Sequence, residues 1–131
     1  MIDHMSTYTT DYLAAKSFYQ AVFSVLGYSL QIELVAEWNH DFPTQRMCAF
    51  GVDGQFTFWL IETKEKFTPR HVAFSAASRS AVVQFHDQAL QHGGTDNGEP
   101  GLRPMYQEHY YAAFAIDVDG NNVEAVCHLP E

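Results

Sequence analysis

The stretch that decides the fold is HVAFSAASRSAVVQFHDQALQHGG, His71–Gly94, because an earlier stretch, His4–Gly27, follows the same plan at a constant offset of 67 residues. Each stretch starts at a histidine that opens a short predicted strand. A polar helix-capping residue follows, Asp11 in the first copy and Ser78 in the second, and then an amphipathic segment that stops at a glycine. The repeat predicts two copies of one strand-helix module.

The residues after each copy complete the module. Two Asp-Gly pairs, Asp53–Gly54 and Asp119–Gly120, are each flanked by strand-like segments and predict two hairpins. The glycine- and proline-rich stretch 93–104 predicts at most one short edge strand. Predicted strands cover 2–8, 28–35, 46–52, 55–62, 71–75, 110–117 and 121–128, and the predicted helices cover about 12–26 and the segment capped by Ser78.

Length and charge limit the possible functions. The 131 residues suit one domain, which we expect to consist of module one at about 1–64 and module two at about 68–131. Seven Lys and Arg against 16 Asp and Glu give a net charge of −9, which disfavours nucleic-acid binding. No apolar run approaches the roughly 18 residues of a membrane span, and the first residues do not resemble a signal peptide. We therefore expect a soluble, cytoplasmic protein without a membrane partner.

Three residues form the candidate site. His4 and His71 open equivalent strands, so the two imidazoles could approach each other if the modules pair about a pseudo-twofold axis. Glu124 lies in the apolar run VEAV, where a carboxylate needs a partner. Two imidazoles and a carboxylate suit Fe(II), Mn(II), Ni(II) or Zn(II). The alternative is structural: a terminal histidine, a hydrogen-bonded strand histidine and a salt-bridged carboxylate.

The pattern resembles a known family over essentially the whole chain. The opening His strand, the helix DYLAAKSFYQAVFSVLGY, the strand HVAF and the closing DVDGNNVEAVCH are similar to the vicinal oxygen chelate superfamily. That superfamily includes glyoxalases, bleomycin-resistance proteins, extradiol dioxygenases and fosfomycin thiol transferases. The resemblance implies an α+β fold of two βαβββ modules, whose curved mixed sheets form a cup with helices on the outside. It also implies metal ligation by His4, His71 and Glu124.

The implied activity is that of a metal-dependent enzyme acting on a small oxygen-bearing substrate. Glyoxalases carry a further Glu or Gln ligand on the fourth strand. Here the turn alignment puts Phe58 opposite Glu124, and the 67-residue offset selects Thr57. Neither residue is such a ligand, which favours the three-ligand dioxygenase-like or thiol-transferase-like site. A small-molecule sequestration protein of the bleomycin-resistance type and a lactoylglutathione-lyase-like isomerase are the alternatives.

Four further residues are candidates for the pocket. Strand alternation places Asn122, Val126 and His128 on the face of Glu124, and it places Val123, Ala125 and Cys127 on the face toward the helices. We prefer Tyr111 to Tyr110 as the tyrosine that meets the substrate. Arg103 could bind an anionic substrate, or it could be a structural or solvated arginine. Trp59 is a candidate for the pocket wall, although an aromatic core role is the alternative.

We also expect a homodimer. Two small curved sheets leave edge strands to cover, and the chain carries 10 Phe, 7 Tyr and 2 Trp. In the superfamily that the chain resembles, dimers form either by exchange of modules or by packing of complete cups side by side. The sequence leaves both arrangements open.

Overall fold

The computed structural model describes all residues, 1–131, and contains eight strands and two helices in two βαβββ modules. The repeat and the α+β class predicted from the sequence are confirmed. In chain order the elements are β1 Met5–Thr9, α1 Tyr12–Ser24, β2 Ser29–Val35, β3 Arg46–Gly51, β4 Phe58–Glu62, β5 His71–Ser75, α2 Arg79–Gln91, β6 Thr95–Leu102, β7 Tyr111–Ile116 and β8 Asn122–Cys127.

Each module forms its own four-stranded mixed sheet, with strand orders β1-β4-β3-β2 and β5-β8-β7-β6. The first strand of each module pairs in parallel with the last, and the other pairs are antiparallel. The parallel pair is what sets the site, because it puts His71 beside Asn122 and Ala73 beside Glu124.

Both helices begin at the predicted caps, where Asp11 accepts from the amide of Ala14 and Ser78 accepts from the amide of Ala81. Each helix packs on one face of its own sheet, and the two helices contact each other. One apolar core runs through both modules and includes Phe18, Phe23, Phe58, Phe85 and Val123 among its members. Neither helix is long and apolar enough to cross a membrane.

Some predicted boundaries were wrong. β1 starts at Met5, so His4 lies just before the strand, and β4 starts at Phe58 rather than at residue 55. The stretch 93–104 contains an eight-residue strand, β6, with two register shifts against β7. Glycine and proline did not prevent pairing there, because these irregularities absorb them at a sheet edge.

Candidate functional site

The helix-free face of the second sheet brings His71 and Glu124 together. Nε2 of His71 lies 3.1 Å from Oε2 of Glu124. Nδ1 of His71 lies 3.0 Å from the carbonyl oxygen of Asn122, and since a carbonyl only accepts, Nδ1 carries the hydrogen. The lone pair of Nε2 and the carboxylate oxygen then face each other, and two acceptors at this distance require a proton or a cation between them.

Glu124 is buried and is held from its other side. Its side chain is 3% exposed, whereas that of His71 is 48% exposed. The hydroxyl of Tyr110 donates a hydrogen bond to Oε1 of Glu124. Burial, and after it the contact with Glu124, raises the pKa of Tyr110 to about 12, so the phenol keeps its proton at neutral pH. Glu124 therefore offers only Oε2 to a ligand shared with His71.

His4 does not join this pair within one chain. It lines a different cleft, on the helix-free face of the first sheet, and its Nδ1 lies 2.6 Å from Oδ1 of Asp3. No group of three His, Cys, Asp or Glu side chains in the chain could hold a metal ion. His71 and Glu124 fit a metal as two ligands, since the Nδ1 hydrogen is engaged by a carbonyl and Nε2 is free to coordinate. A third protein ligand has to come from outside this cleft.

The strand register corrects the predicted counterpart of Glu124 in module one. Ser6 and Ala73 are equivalent positions, because they are 67 residues apart. On the neighbouring strand, Ser6 pairs with Trp59, and Ala73 pairs with Glu124. The counterpart is therefore Trp59, and neither Phe58 nor Thr57. Trp59 lines the His4 cleft, whereas Phe58 is buried in the core. An indole does not ligate a metal, so Trp59 cannot serve as the Glu or Gln ligand that glyoxalases carry on the fourth strand.

The other predicted pocket residues are divided between the two sides of the sheet. Tyr111, preferred from the sequence as the tyrosine that meets the substrate, packs against the core, with the guanidinium of Arg79 5.1 Å from its ring centre. The hydroxyl that lies beside Glu124 belongs to Tyr110 instead. His128 is exposed and stacks edge-on against Tyr110 at 5.2 Å. Arg103 lines a cleft that also includes Asn122.

Asn122 is a polar residue of the site that sequence reasoning placed on the correct face without giving it a role. It lines the cleft of about 420 Å³ that contains His71 and Glu124. Its side-chain oxygen is buried and has no hydrogen-bond partner. Nothing in the residue pattern could have revealed this, because the lack of a partner depends on the surrounding strands.

Two βαβββ modules, each with one helix and a four-stranded mixed sheet, are the fold that the sequence resemblance implies. The family described as the Glyoxalase/Bleomycin resistance protein/Dioxygenase superfamily matches residues 1–125. The chain belongs to this superfamily.

Solved structures with the same fold are similar over nearly the whole chain. A glyoxalase/bleomycin resistance protein from Albidiferax ferrireducens T118 has a TM-score of 0.71 and 23% identity, with 95% of each chain covered. Lactoylglutathione lyase from Agrobacterium tumefaciens has a TM-score of 0.66 and 20% identity, covering 97% of this chain and 92% of that one. An E144Q mutant of glyoxalase I from Zea mays has a TM-score of 0.70 and 16% identity, covering 95% of this chain and 46% of that one. These identities establish a shared fold. No curated protein sequence matches the chain.

Proposed function

We propose that this protein is a metal-dependent enzyme that acts on a small oxygen-bearing substrate. The metal would be held by His71 and Glu124 of one subunit together with His4 of a second copy. The observation that carries the proposal is the 3.1 Å approach of Nε2 of His71 to Oε2 of Glu124, with the histidine hydrogen on the opposite nitrogen. Nε2 of His71 and Oε2 of Glu124 are therefore placed so that both could coordinate one metal ion.

Each residue of the cleft has a distinct task in this proposal. Tyr110 holds Glu124, and the carbonyl of Asn122 orients the ring of His71. Phe114 and Tyr106 provide aromatic walls on which a small organic substrate can lie. A divalent metal in the site would polarise an oxygen pair of the substrate.

The involvement of a second copy is supported by the separation of the two clefts. His4 and Trp59 lie on the helix-free face of one sheet, and His71 and Glu124 lie on that of the other. Since the modules of one chain meet through their helices and core, these two faces are free to meet the complementary faces of another copy. Module exchange is the arrangement that brings three ligands together.

Metal binding by the Glu124→Gln variant tests the proposal. Glutamine preserves the shape of the side chain and still accepts from Tyr110, but it removes the anionic ligand. Chelator-stripped protein is titrated with Fe(II), Mn(II), Ni(II) and Zn(II). We expect wild type to bind one metal per chain and the variant to bind at least about tenfold more weakly. Glu37→Gln, at an exposed position, is the matched control.

Two results would contradict the proposal. One is the absence of stoichiometric binding of any of the four metals by wild type. The other is equal metal affinity of wild type and Glu124→Gln. Stabilisation by an apolar compound that is insensitive to EDTA, combined with either result, would favour the sequestration alternative.

A further inference from the structure

Arg103 is held rigidly without a carboxylate partner. Its Nη1 donates to the carbonyl of Gly101 at 2.8 Å, and its Nη2 donates to the carbonyl of Glu99 at 2.7 Å. The guanidinium carbon lies 5.4 Å from the ring centre of Phe114. No ion pair in the chain includes Arg103. Two of its five N–H donors are thus used, and its charge is not neutralised.

The edge strand β6 is shaped around this guanidinium. A Cβ atom at Gly98 would lie 3.3 Å from Nη2 of Arg103, and one at Gly101 would lie 3.2 Å from Nη1. Gly98 also has a φ of +152° and faces the ring of Phe114. Both register shifts of β6 against β7 involve Gly98. The two glycines and the aromatic ring together form a seat for Arg103.

The seat opens into the cleft beside the candidate metal site. Arg103 lines a cleft of about 310 Å³, and Asn122, Phe114 and Tyr106 line both this cleft and the one that contains His71 and Glu124. Asn122 lies between the two regions, and its side chain makes no hydrogen bond although its oxygen is buried. A buried acceptor without a partner is costly, so the Asn122 amide gains a hydrogen bond if it turns toward a donor that a ligand brings into the cleft.

The charge of the protein makes this placement specific. The chain has a net charge of −9 and seven Lys and Arg, of which Arg103 is the only one that lines either of these two clefts. An unpaired guanidinium fixed beside an aromatic wall is suited to a carboxylate or phosphoryl group.

We propose that Arg103 and Asn122 form a substrate-binding subsite for a small organic anion. The carboxylate or phosphoryl group of the ligand is bound by Arg103, and a neighbouring hydroxyl or amino group donates to Oδ1 of Asn122. The opposite end of the ligand extends toward His71 and Glu124. Only this last statement rests on the proposed function, since anion binding at Arg103 needs no metal.

The test is an NMR titration of metal-free protein with two probes, inorganic phosphate and 2-hydroxybenzoate. The second probe combines a carboxylate, a hydroxyl donor and an aromatic ring. We expect either anion, or both, to shift the Nε–Hε signal of Arg103, whereas the neutral 2-hydroxybenzamide leaves it in place. In Arg103→Gln the affinity for the bound anion should fall by roughly tenfold or more. Arg70→Gln is the matched control, because Arg70 also lies over an aromatic ring, that of Tyr8 at 5.6 Å, without an ion pair.

The outcomes separate this inference from the proposed function. A shift with phosphate alone indicates a phosphoryl ligand, and a shift with the benzoate alone indicates a carboxylate ligand. No shift of the Arg103 signal by either anion at tens of millimolar overturns the inference, as does equal affinity in Arg103→Gln. The wild-type titration needs no variant, so a folding defect in Arg103→Gln cannot obscure the answer. Anion binding without metal binding would retain the subsite and reject the enzyme.

Discussion

Tyr110 and Glu124 are joined by a hydrogen bond that leaves only one carboxylate oxygen facing His71. The bond comes from a phenol that precedes β7 to a side chain in the middle of β8. A carboxylate that is 3% exposed needs such a partner, because an unsatisfied buried charge is costly. The same bond fixes the direction of the oxygen that is offered to a metal.

The first prediction concerns Tyr110→Phe. Removal of the hydroxyl frees Oε1 of Glu124 and loosens the direction of Oε2, so metal affinity should fall by about tenfold to a hundredfold. Isothermal titration with the metal that wild type binds measures this. Tyr111→Phe is the matched control, because its ring faces the core and Glu124 is untouched. Unchanged affinity in Tyr110→Phe would show that the bond does not position the ligand.

The second prediction concerns alkaline pH. The pKa of Tyr110 is about 12 in the folded protein against 10.0 for the free phenol. Because the pKa of Tyr110 is raised in the folded protein, its protonated phenol contributes fully to folding stability below pH 10. This contribution is lost as the pH rises toward 12. Urea unfolding between these pH values should therefore show a smaller loss of stability in Tyr110→Phe than in wild type. Tyr106→Phe, at an exposed position, should follow wild type, and parallel curves for all three proteins would count against this assignment.

The third prediction concerns exchange of modules between subunits. His4→Ala and Glu124→Gln are refolded together, so a heterodimer has one site with all three ligands and one site with neither His4 nor Glu124. Statistical mixing should restore about a quarter of the wild-type tight metal sites. Each variant refolded alone should restore none. Light scattering provides the second measurement, and a monomer near 14.8 kDa at micromolar concentration would be incompatible with a shared site.

The fourth prediction concerns the contact between modules. Tyr19 of α1 is fully buried and donates a hydrogen bond to Oδ2 of Asp117, beside the last turn of module two. In Tyr19→Phe that buried carboxylate oxygen retains only Nδ2 of Asn121, at 2.9 Å. The free energy of unfolding in urea should fall by about 1–3 kcal/mol. Tyr8→Phe is the control, since the ring of Tyr8 contacts Phe67 and phenylalanine retains that contact. A loss of equal size in Tyr8→Phe would show that the loss in Tyr19→Phe does not come from the hydrogen bond to Asp117.

Much of the fold was predictable because its signals are local. The caps Asp11 and Ser78 satisfy helix amides within three residues of themselves. Gly27 and Gly93 follow the helices with φ of +87° and +95°, a conformation that favours glycine. From the sequence, Gly94 was the predicted end of the second helix. That residue instead approaches the ring of Phe18 so closely that a Cβ would lie 2.8 Å from it.

The face of the sheet on which a side chain lies was less predictable than the positions of the helices and strands. Alternation within β8 correctly predicted that Val123 and Cys127 face the core while Asn122 and Glu124 face away. For β7 and β4 the register was ambiguous, and a shift of one residue exchanges Tyr110 with Tyr111 or Phe58 with Trp59. Only pairing with neighbouring strands decides such a choice.

By itself the sequence determined the two βαβββ modules and the shortage of positive charge. These depend on repeats, periodicity and composition, which are properties of the chain. The tertiary structure decided that His4 lies in a separate cleft, that Tyr110 holds Glu124, and that Arg103 is seated beside Asn122 without an acidic partner. Each of these depends on how sheets and loops distant in the chain pack together, and local sequence patterns carry no record of that packing.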